Sequence, residues 1–384
     1  MKLNLDDNKL HLRFAPLTLT RPLGNLRMGI LCNNERWKIY IPEAEIGFTT
    51  EKYLQEKFMQ LTDAIQVNAS VIPNEEIAAA VYNLEDDSTL FLDKQWISKR
   101  GDGKNKLQFK GEAPIIIKER WDLFLMNEEV LIKDFDLLTN NRKSQKISKT
   151  NTLIGDSKFI FIEEGAIIEG AILNTTTGPI YIGHNAEIME GSLIRGPFAL
   201  CDNSTLKLGT KVYGASTIGP HCKIGGEISN VIFQSFSNKG HDGFIGNSVI
   251  GEWCNLGAGT NSSNLKNNYG KISSYSFEKL AEVETQQQFM GLFMGDHSKS
   301  AINTQFNTAS VVGVSATVFG ADFPPKFIPS FSWGFSQPFV EFKFDKAIEA
   351  ANNMMERRSL SLSEEDMKIL NYLSTRKKSK QILL

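Results

Sequence analysis

Eight aliphatic residues stand six apart without a break: Ile182, Ile188, Ile194, Leu200, Leu206, Val212, Ile218 and Ile224. A period of six fits neither the alternation of a strand nor the turn of a helix. One inward aliphatic every six residues, often followed by glycine as in Ile182-Gly183, Ile218-Gly219 and Ile224-Gly225, marks a parallel β-helix built of three hexapeptides per coil. Ile154, Ile160 and Ile172 before the series, and Phe244, Ile250, Leu256, Phe306, Val312 and Val318 after it, extend the expected solenoid over 151–334. That leaves 1–150 for a separate domain and 335–384 for an extension.

The remaining sequence bounds the function class. With 42 basic and 44 acidic residues the net charge is -2, so no overall field favours nucleic acid or an anionic membrane as partner. Cys32, Cys201, Cys222 and Cys254 show no CxxC spacing, and the first residues lack the apolar core of a signal peptide, which points to reduced thiols in the cytoplasm. No apolar run approaches the ~20 residues of a spanning helix, so a soluble chain is expected.

Residues 1–150 alternate short apolar runs with helical patterns, the mark of an α/β domain. Strands are expected at 38–41, 69–72, 89–92 and 115–117, and a helix at 53–61. The polar, basic stretch 140–146 suits an exposed linker. Beyond the solenoid, 345–357 carries apolar residues on one helical face. A second helix should begin at Ser363, capped with the help of Asp366, and end in Arg376-Lys377-Lys378, whose charges complement the helix dipole.

The six-residue series lapses after Ile224 and resumes at Phe244, a gap of 20 that is not a multiple of six and reads as an insertion presenting His241 between Gly240 and Asp242. The run from Lys239 to Asn247, then from Ile250 to Thr260, then Asn264, resembles the acetyltransferase domain of the bifunctional GlmU enzymes. There KAGHLTYLGD, IGDNVNIGAGT and CNYDG stand in the same order, with histidine and asparagine spaced as His241 and Asn264 are. The resemblance implies a left-handed β-helix, acetyl-CoA as donor, glucosamine-1-phosphate as acceptor, His241 as general base, Asn264 in the sugar site, and a homotrimer with the donor between coils of neighbouring subunits. A neutral imidazole suits an amine that must lose a proton as it attacks a thioester. Glu227 stands where the family also has a glutamate and is a candidate to orient the imidazole; Lys239, Arg195, Lys207 and Lys211 are candidates for the sugar phosphate. Phe244 replaces the family's tyrosine, and Ser263-Asn264-Leu265-Lys266-Asn267 replaces CNYDG, so the sugar stays open. Residues 291–301 resemble the family's later donor-binding coils, and His297 there is taken as a bystander.

In the first domain, the run from Arg13 to Pro22 followed by Leu26-Arg27-Met28-Gly29-Ile30 resembles the RLxPLTxxxPK loop of sugar-1-phosphate nucleotidyltransferases, in the variant form of Bacteroidetes-type GlmU-like proteins. Residues 121–139 also resemble the end of that variant domain. Nucleotidyl transfer needs cations against the triphosphate, for which Arg13 and Arg21 are candidates, and Mg²⁺ on a carboxylate, for which Asp93 at a strand end is the candidate. Residues 7–11 stand where the family has a glycine-rich segment. The leading expectation is a two-activity enzyme making a nucleotide-activated amino sugar of the UDP-N-acetylglucosamine type. The alternatives are a uridylyl or thymidylyl transferase whose solenoid serves assembly, and a trimeric scaffold.

Overall fold

The computed structural model describes residues 1–335 and 338–376, which fall into two compact units: Met1–Arg27 with Leu31–Arg120, and Met28–Ile30 with Trp121 onward. Lys377 and Lys378 of the C-terminal basic run lie outside the described residues.

The first unit is an α/β sheet of six strands, β1 (Lys2–Asp6), β2 (Glu45–Thr49), β3 (Ile65–Asn68), β4 (Ser88–Leu92), β5 (Gln95–Lys99) and β6 (Asn105–Gln108), in the order β2-β1-β3-β5-β4-β6. β1 lies parallel to both neighbours, with Leu5 opposite Phe48 on one side and Val67 on the other; β5 turns antiparallel to β3. Leu3, Leu5 and Val67 are fully buried. The strand expected at 38–41 is instead the end of helix α1 (Asn33–Tyr40). Its β-branched residues are outweighed by Asn33, Arg36 and Trp37, which are buried at helical spacing, and by Glu35, which accepts the Cys32 N–H at 2.7 Å. At 53–61 only the short turn Lys52–Leu54 is helical. Beyond it the backbone finds other partners: the Phe48 N–H donates to Met59 O, and Leu61 exchanges two bonds with the Asn4 side-chain amide. Strands at 89–92 and 115–117 form much as read, while 69–72 contributes only Val71–Ile72. Helix α2 (Glu75–Tyr82) is capped by Asn74, which accepts the Ile77 N–H at 2.9 Å.

The second unit is a β-solenoid of the left-handed parallel β-helix kind, preceded by helix α3 (Asn127–Thr139) and followed by α4 (Phe344–Glu356) and α5 (Glu364–Arg376). Ile182, Ile188 and Ile194 lie in three successive strands on three ladders. Each stacks on the residue eighteen further on: Leu200, Leu206 and Val212. These side chains are 2 % exposed or less. At the first coils the spacing widens, Leu173 pairing with Ile194, so the inward residues are Leu153 and Leu173 rather than Ile154 and Ile172, which are 44 % and 38 % exposed. Likewise Ile245, fully buried, takes the inward position expected of Phe244.

The expected insertion before His241 is a deletion. Strand β7 (Lys223–Ile224) pairs with β9 (Asn238–Lys239), Ile224 opposite Lys239 only fifteen residues on. The shortening is absorbed by β8 (Glu227–Phe233) and, in the next coil, β10 (Phe244–Ile250), which run unbroken around a corner and join two faces into one sheet. The true insertion comes later. Leu256, in β11 (Asn255–Leu256), pairs with Ser300, and the extra chain forms an arm closed by the Leu265–Phe289 bridge and carrying the hairpin Ser273–Ser276 with Ala281–Glu284.

The residues before the solenoid belong to its packing. Phe124 lies 6.1 Å from Phe293, Asn127 donates to Ala215 O at 3.1 Å, and Gly29 and Ile30 donate backbone N–H groups to Asn127 and Asp134. Within the stretch read as a linker, Arg142 grips Glu163 through two hydrogen bonds of 2.8 and 2.7 Å. In the extension Ser363 caps α5: its hydroxyl accepts the Asp366 N–H at 3.1 Å and donates to Asp366 Oδ2 at 3.0 Å.

Because Leu206 is fully buried between Ile188 and Ile224, Leu206→Ala should lower unfolding stability by about 2–5 kcal/mol, measured by urea titration of the full chain.

Candidate functional site

Lys239 occupies a position that every neighbouring coil on that ladder gives to an aliphatic or a serine, and it is 1 % exposed. An ammonium buried there needs acceptors. It donates to Gly225 O at 3.0 Å and to His241 O at 2.9 Å, bridging two successive corners of the solenoid. The lower corner is the tight Gly225-Gly226 pair. Gly226 has φ +75, and a side chain there would collide with the Lys239 ammonium and Gly243 O, so glycine is required for lysine to fit. The upper corner, Gly240-His241-Asp242-Gly243, is longer by two residues. It is further tied by Glu227 N–H to Gly243 O at 3.1 Å and Gly259 N–H to Asp242 O at 3.0 Å. The His241 ring projects from this fixed corner and is exposed. Burial lowers the Lys239 pKa to about 8, while Asp242 and Glu227 pull it upward.

His241 stands at a groove of about 640 Å³ formed between the ladder of β7, β9 and β11 and helix α4. Lys207, Lys223 and Lys299 line it from the solenoid, Arg357 and Arg358 from the end of α4. No Asp or Glu is among the described lining residues. Arg358 donates to Asn238 Oδ1 at 3.4 Å. Arg357 and Arg358 escaped sequence reading because a helix far along the chain delivers them.

The other expected residues divide between two further places. Arg195, Lys211 and Glu227 line a second groove of about 480 Å³ on another face, with Tyr213, whose hydroxyl donates to Glu227 Oε1 at 2.6 Å. Burial, and then that bond, raise the Tyr213 pKa to about 12. Lys211 Nζ is 4.0 Å from Glu227 Oε2, so Glu227 is engaged by Tyr213 and Lys211 on its own face. Asn264 sits at the root of the inserted arm, donating to Asn247 Oδ1 at 2.7 Å and accepting the Met290 N–H at 2.8 Å. Lys239, expected among the phosphate ligands, turns inward and holds the His241 corner instead. His297 has a pKa lowered to about 4 by burial and lines none of these grooves.

In the first unit the carboxyl end of β1, flanked by parallel strands on both sides, is the position where α/β sheets hold ligands. The turn after it places Asn8 and Lys9 both in the left-handed region, φ 49 and 62, closed by Leu10 N–H to Asp7 O at 2.8 Å. Two non-glycine residues thus adopt the backbone that a glycine-rich loop would supply. Asp7 fixes the segment that follows, accepting the Leu23 N–H at 2.8 Å and the Thr50 hydroxyl at 2.5 Å, with His11 Nδ1 at 3.6 Å. Burial, the leading effect, raises the Asp6 pKa. Arg13 is 4.0 Å from Glu119, and Arg21 is 6 % exposed. Asp93 opens the two-residue β4–β5 turn at φ 51 and is exposed, at the same sheet edge as Asn8, whose side chain accepts the Trp96 Nε1–H at 3.0 Å. Among the described residues no three His, Cys, Asp or Glu gather as a metal cluster.

Comparison with known proteins bears on both units. Residues 3–143 match the family described as sugar nucleotidyl transferase. The bifunctional protein GlmU of Wigglesworthia glossinidia brevipalpis is 28 % identical over 176 residues, covering 45 % of this chain and 32 % of its own length. The bifunctional sugar-1-phosphate nucleotidylyltransferase/acetyltransferase of Sulfurisphaera tokodaii is 25 % identical over 256 residues, covering 64 % and 58 %. The chain thus spans from a third to under two thirds of these relatives. Among solved structures, the LpxA UDP-N-acetylglucosamine acyltransferase of Bacteroides fragilis aligns at 16 % identity and a TM-score of 0.25, covering 62 % of this chain and 86 % of that one. Residues 3–143 are thus similar to sugar nucleotidyl transferases, and parts of the chain are similar to bifunctional GlmU proteins.

Lys239 gives a measurable signature. Its folded pKa, about 8 against an ordinary 10.5, means the folded state disfavours the charged form; the penalty is complete below pH 8 and is relieved as pH rises from 8 towards 10.5. Lys239→Met should remove that rise of about 3 kcal/mol from the stability–pH curve, read by urea unfolding at pH 7 and pH 10. Parallel curves for the two proteins would contradict the buried-ammonium assignment.

Proposed function

We propose that this chain makes a nucleotide-activated amino sugar, transferring acetyl from acetyl-CoA to glucosamine-1-phosphate and a nucleotidyl group from an NTP to the sugar-1-phosphate. Residues 1–150 serve nucleotidyl transfer, the solenoid over 151–334 serves acyl transfer, and 335–384 completes the groove through α4. The observation that carries the reading is the rigid corner presenting an exposed His241 at a groove lined by five cations and, among the described residues, no carboxylate. Both proposed reactants of the acyl step are phosphorylated, so such a groove suits them.

In the acyl step the neutral His241 imidazole accepts the proton that the sugar amine loses as its nitrogen attacks the thioester carbonyl, and the thiol leaves. The Lys239 bond to His241 O holds the corner so that the ring does not have to be ordered at each turnover. Asn264 is assigned to the sugar. Glu227, bonded to Tyr213, acts on the neighbouring face with Arg195 and Lys211 rather than on the imidazole.

In the nucleotidyl step Arg13 and Arg21 face the triphosphate. Asp93 and Asp6 would hold a Mg²⁺ ion accompanying the nucleotide phosphates, for which one or two protein carboxylates suffice. When bound, the ion offsets charge on the transferring phosphoryl group. The reading includes a cytoplasmic homotrimer, supported by the flat faces of hexapeptide solenoids, and sedimentation at micromolar concentration checks the assembly.

His241→Ala should reduce acetyl transfer by roughly 10² to 10⁴ while stability changes by less than about 1 kcal/mol, because the ring lies outside the packed interior. Asn264→Ala should raise KM more than it lowers kcat. If the parent consumes no acetyl-CoA with any amino-sugar phosphate, the acyl assignment is wrong. Arg21→Ala should slow consumption of UTP or dTTP with sugar-1-phosphates by on the order of 10²-fold. A parent that consumes neither nucleotide would leave the first unit a binding module.

A further inference from the structure

The cations of the His241 groove are not evenly spread. Lys207 and Lys223 come from successive coils, and Arg357 and Arg358 are consecutive residues where α4 ends. They press on one another. Lys223 has its pKa lowered first by burial, then by Arg358, Lys207 and Arg357, with only Glu187 opposing; Arg358 is lowered by burial and by Arg357, with the buried Cys222 thiol opposing. Arg358 makes its hydrogen bond to the neutral amide of Asn238. A chain of net charge -2 thus gathers these four cations around one small groove, two from the solenoid and two from the end of α4. Such an arrangement is unfavourable in the free protein and is relieved by a bound anion.

We propose that Lys207, Lys223, Arg357 and Arg358 form a phosphate subsite beside His241, in which α4 supplies the guanidinium pair and so makes the C-terminal extension part of the binding site. The occupant is a phosphate ester of a small molecule. The groove volume is that of a small-molecule site, and adjacent guanidinium groups match phosphate oxygens in a way that two lysines alone do not. This deepens the acyl-transfer reading and rests on it only for the ligand's identity, since both the sugar acceptor and the nucleotide end of acetyl-CoA carry the same group.

Calorimetric titration of the full chain with glucosamine-1-phosphate, and separately with adenosine 3′,5′-bisphosphate, distinguishes the two sources. At least one should bind, with affinity falling steeply as salt rises. The pair Lys207→Gln/Lys223→Gln and, separately, Arg357→Gln/Arg358→Gln should each weaken that ligand at least tenfold. The lysine pair lies on the solenoid surface and controls for any loosening of α4 by the arginine pair; melting curves check that both variants fold. If neither ligand binds the folded parent, or the lysine pair leaves every affinity unchanged, the subsite is refuted. If binding is lost in both variants but the parent never transfers acetyl, the subsite stands and the acyl-transfer reading falls.

Discussion

The site in the second unit depends on one buried hydrogen-bonded cation. In the regular coils from Ile182 to Ile224 the interior is filled by aliphatics stacked eighteen residues apart. Where a coil has fifteen residues, Lys239 takes the aliphatic's place and satisfies itself on the carbonyls of two successive corners. An unpaired ammonium in that interior would be too costly to persist, so its two bonds tie the His241 corner to the corner below it. Gly226 is the complementary requirement, since a side chain there would meet the ammonium, while Gly225 is kept bare by the close approach of Gly240 O.

The charges around this corner follow the geometry of the ladders. Residues flanking an inward position project outward from the same face in successive coils, so Lys207 and Lys223 fall on one wall. Arg195, Lys211 and Glu227, though close in sequence to that pair, belong to another face and its own groove. Tyr213 ties Glu227 there, which separates a carboxylate from the groove at His241 and leaves that groove wholly cationic among its described residues.

The first unit reaches a ligand-type loop by unusual residues. A turn with two left-handed positions usually calls for glycine, and here Asn8 and Lys9 hold it because the surrounding bonds do: Leu10 closes the turn, Trp96 holds the Asn8 side chain, and Asp7 anchors the segment through Leu23 and Thr50. The absence of a glycine-rich string in 7–11 is therefore no sign that the backbone shape is lost.

The hexapeptide period by itself determined the solenoid, because an inward aliphatic every sixth residue can be buried in no other way, and the Ser363 cap on Asp366 determined the start of the last helix. His241 was legible from the lapse in that period together with its glycine and the spacing to Asn264. Whether the lapse added or removed chain was not legible, since a gap of 20 is compatible with either, and only the pairing of Ile224 with Lys239 decides it. The strand read at 38–41 failed because β-branched residues describe local preference, while burial of Asn33, Arg36 and Trp37 set the helix. The direction of Lys239, the separation of Glu227 from His241, and the arrival of Arg357 and Arg358 were decided by tertiary structure alone: each depends on which coil, face or helix lies alongside, and that is a relation between residues as much as 150 positions apart.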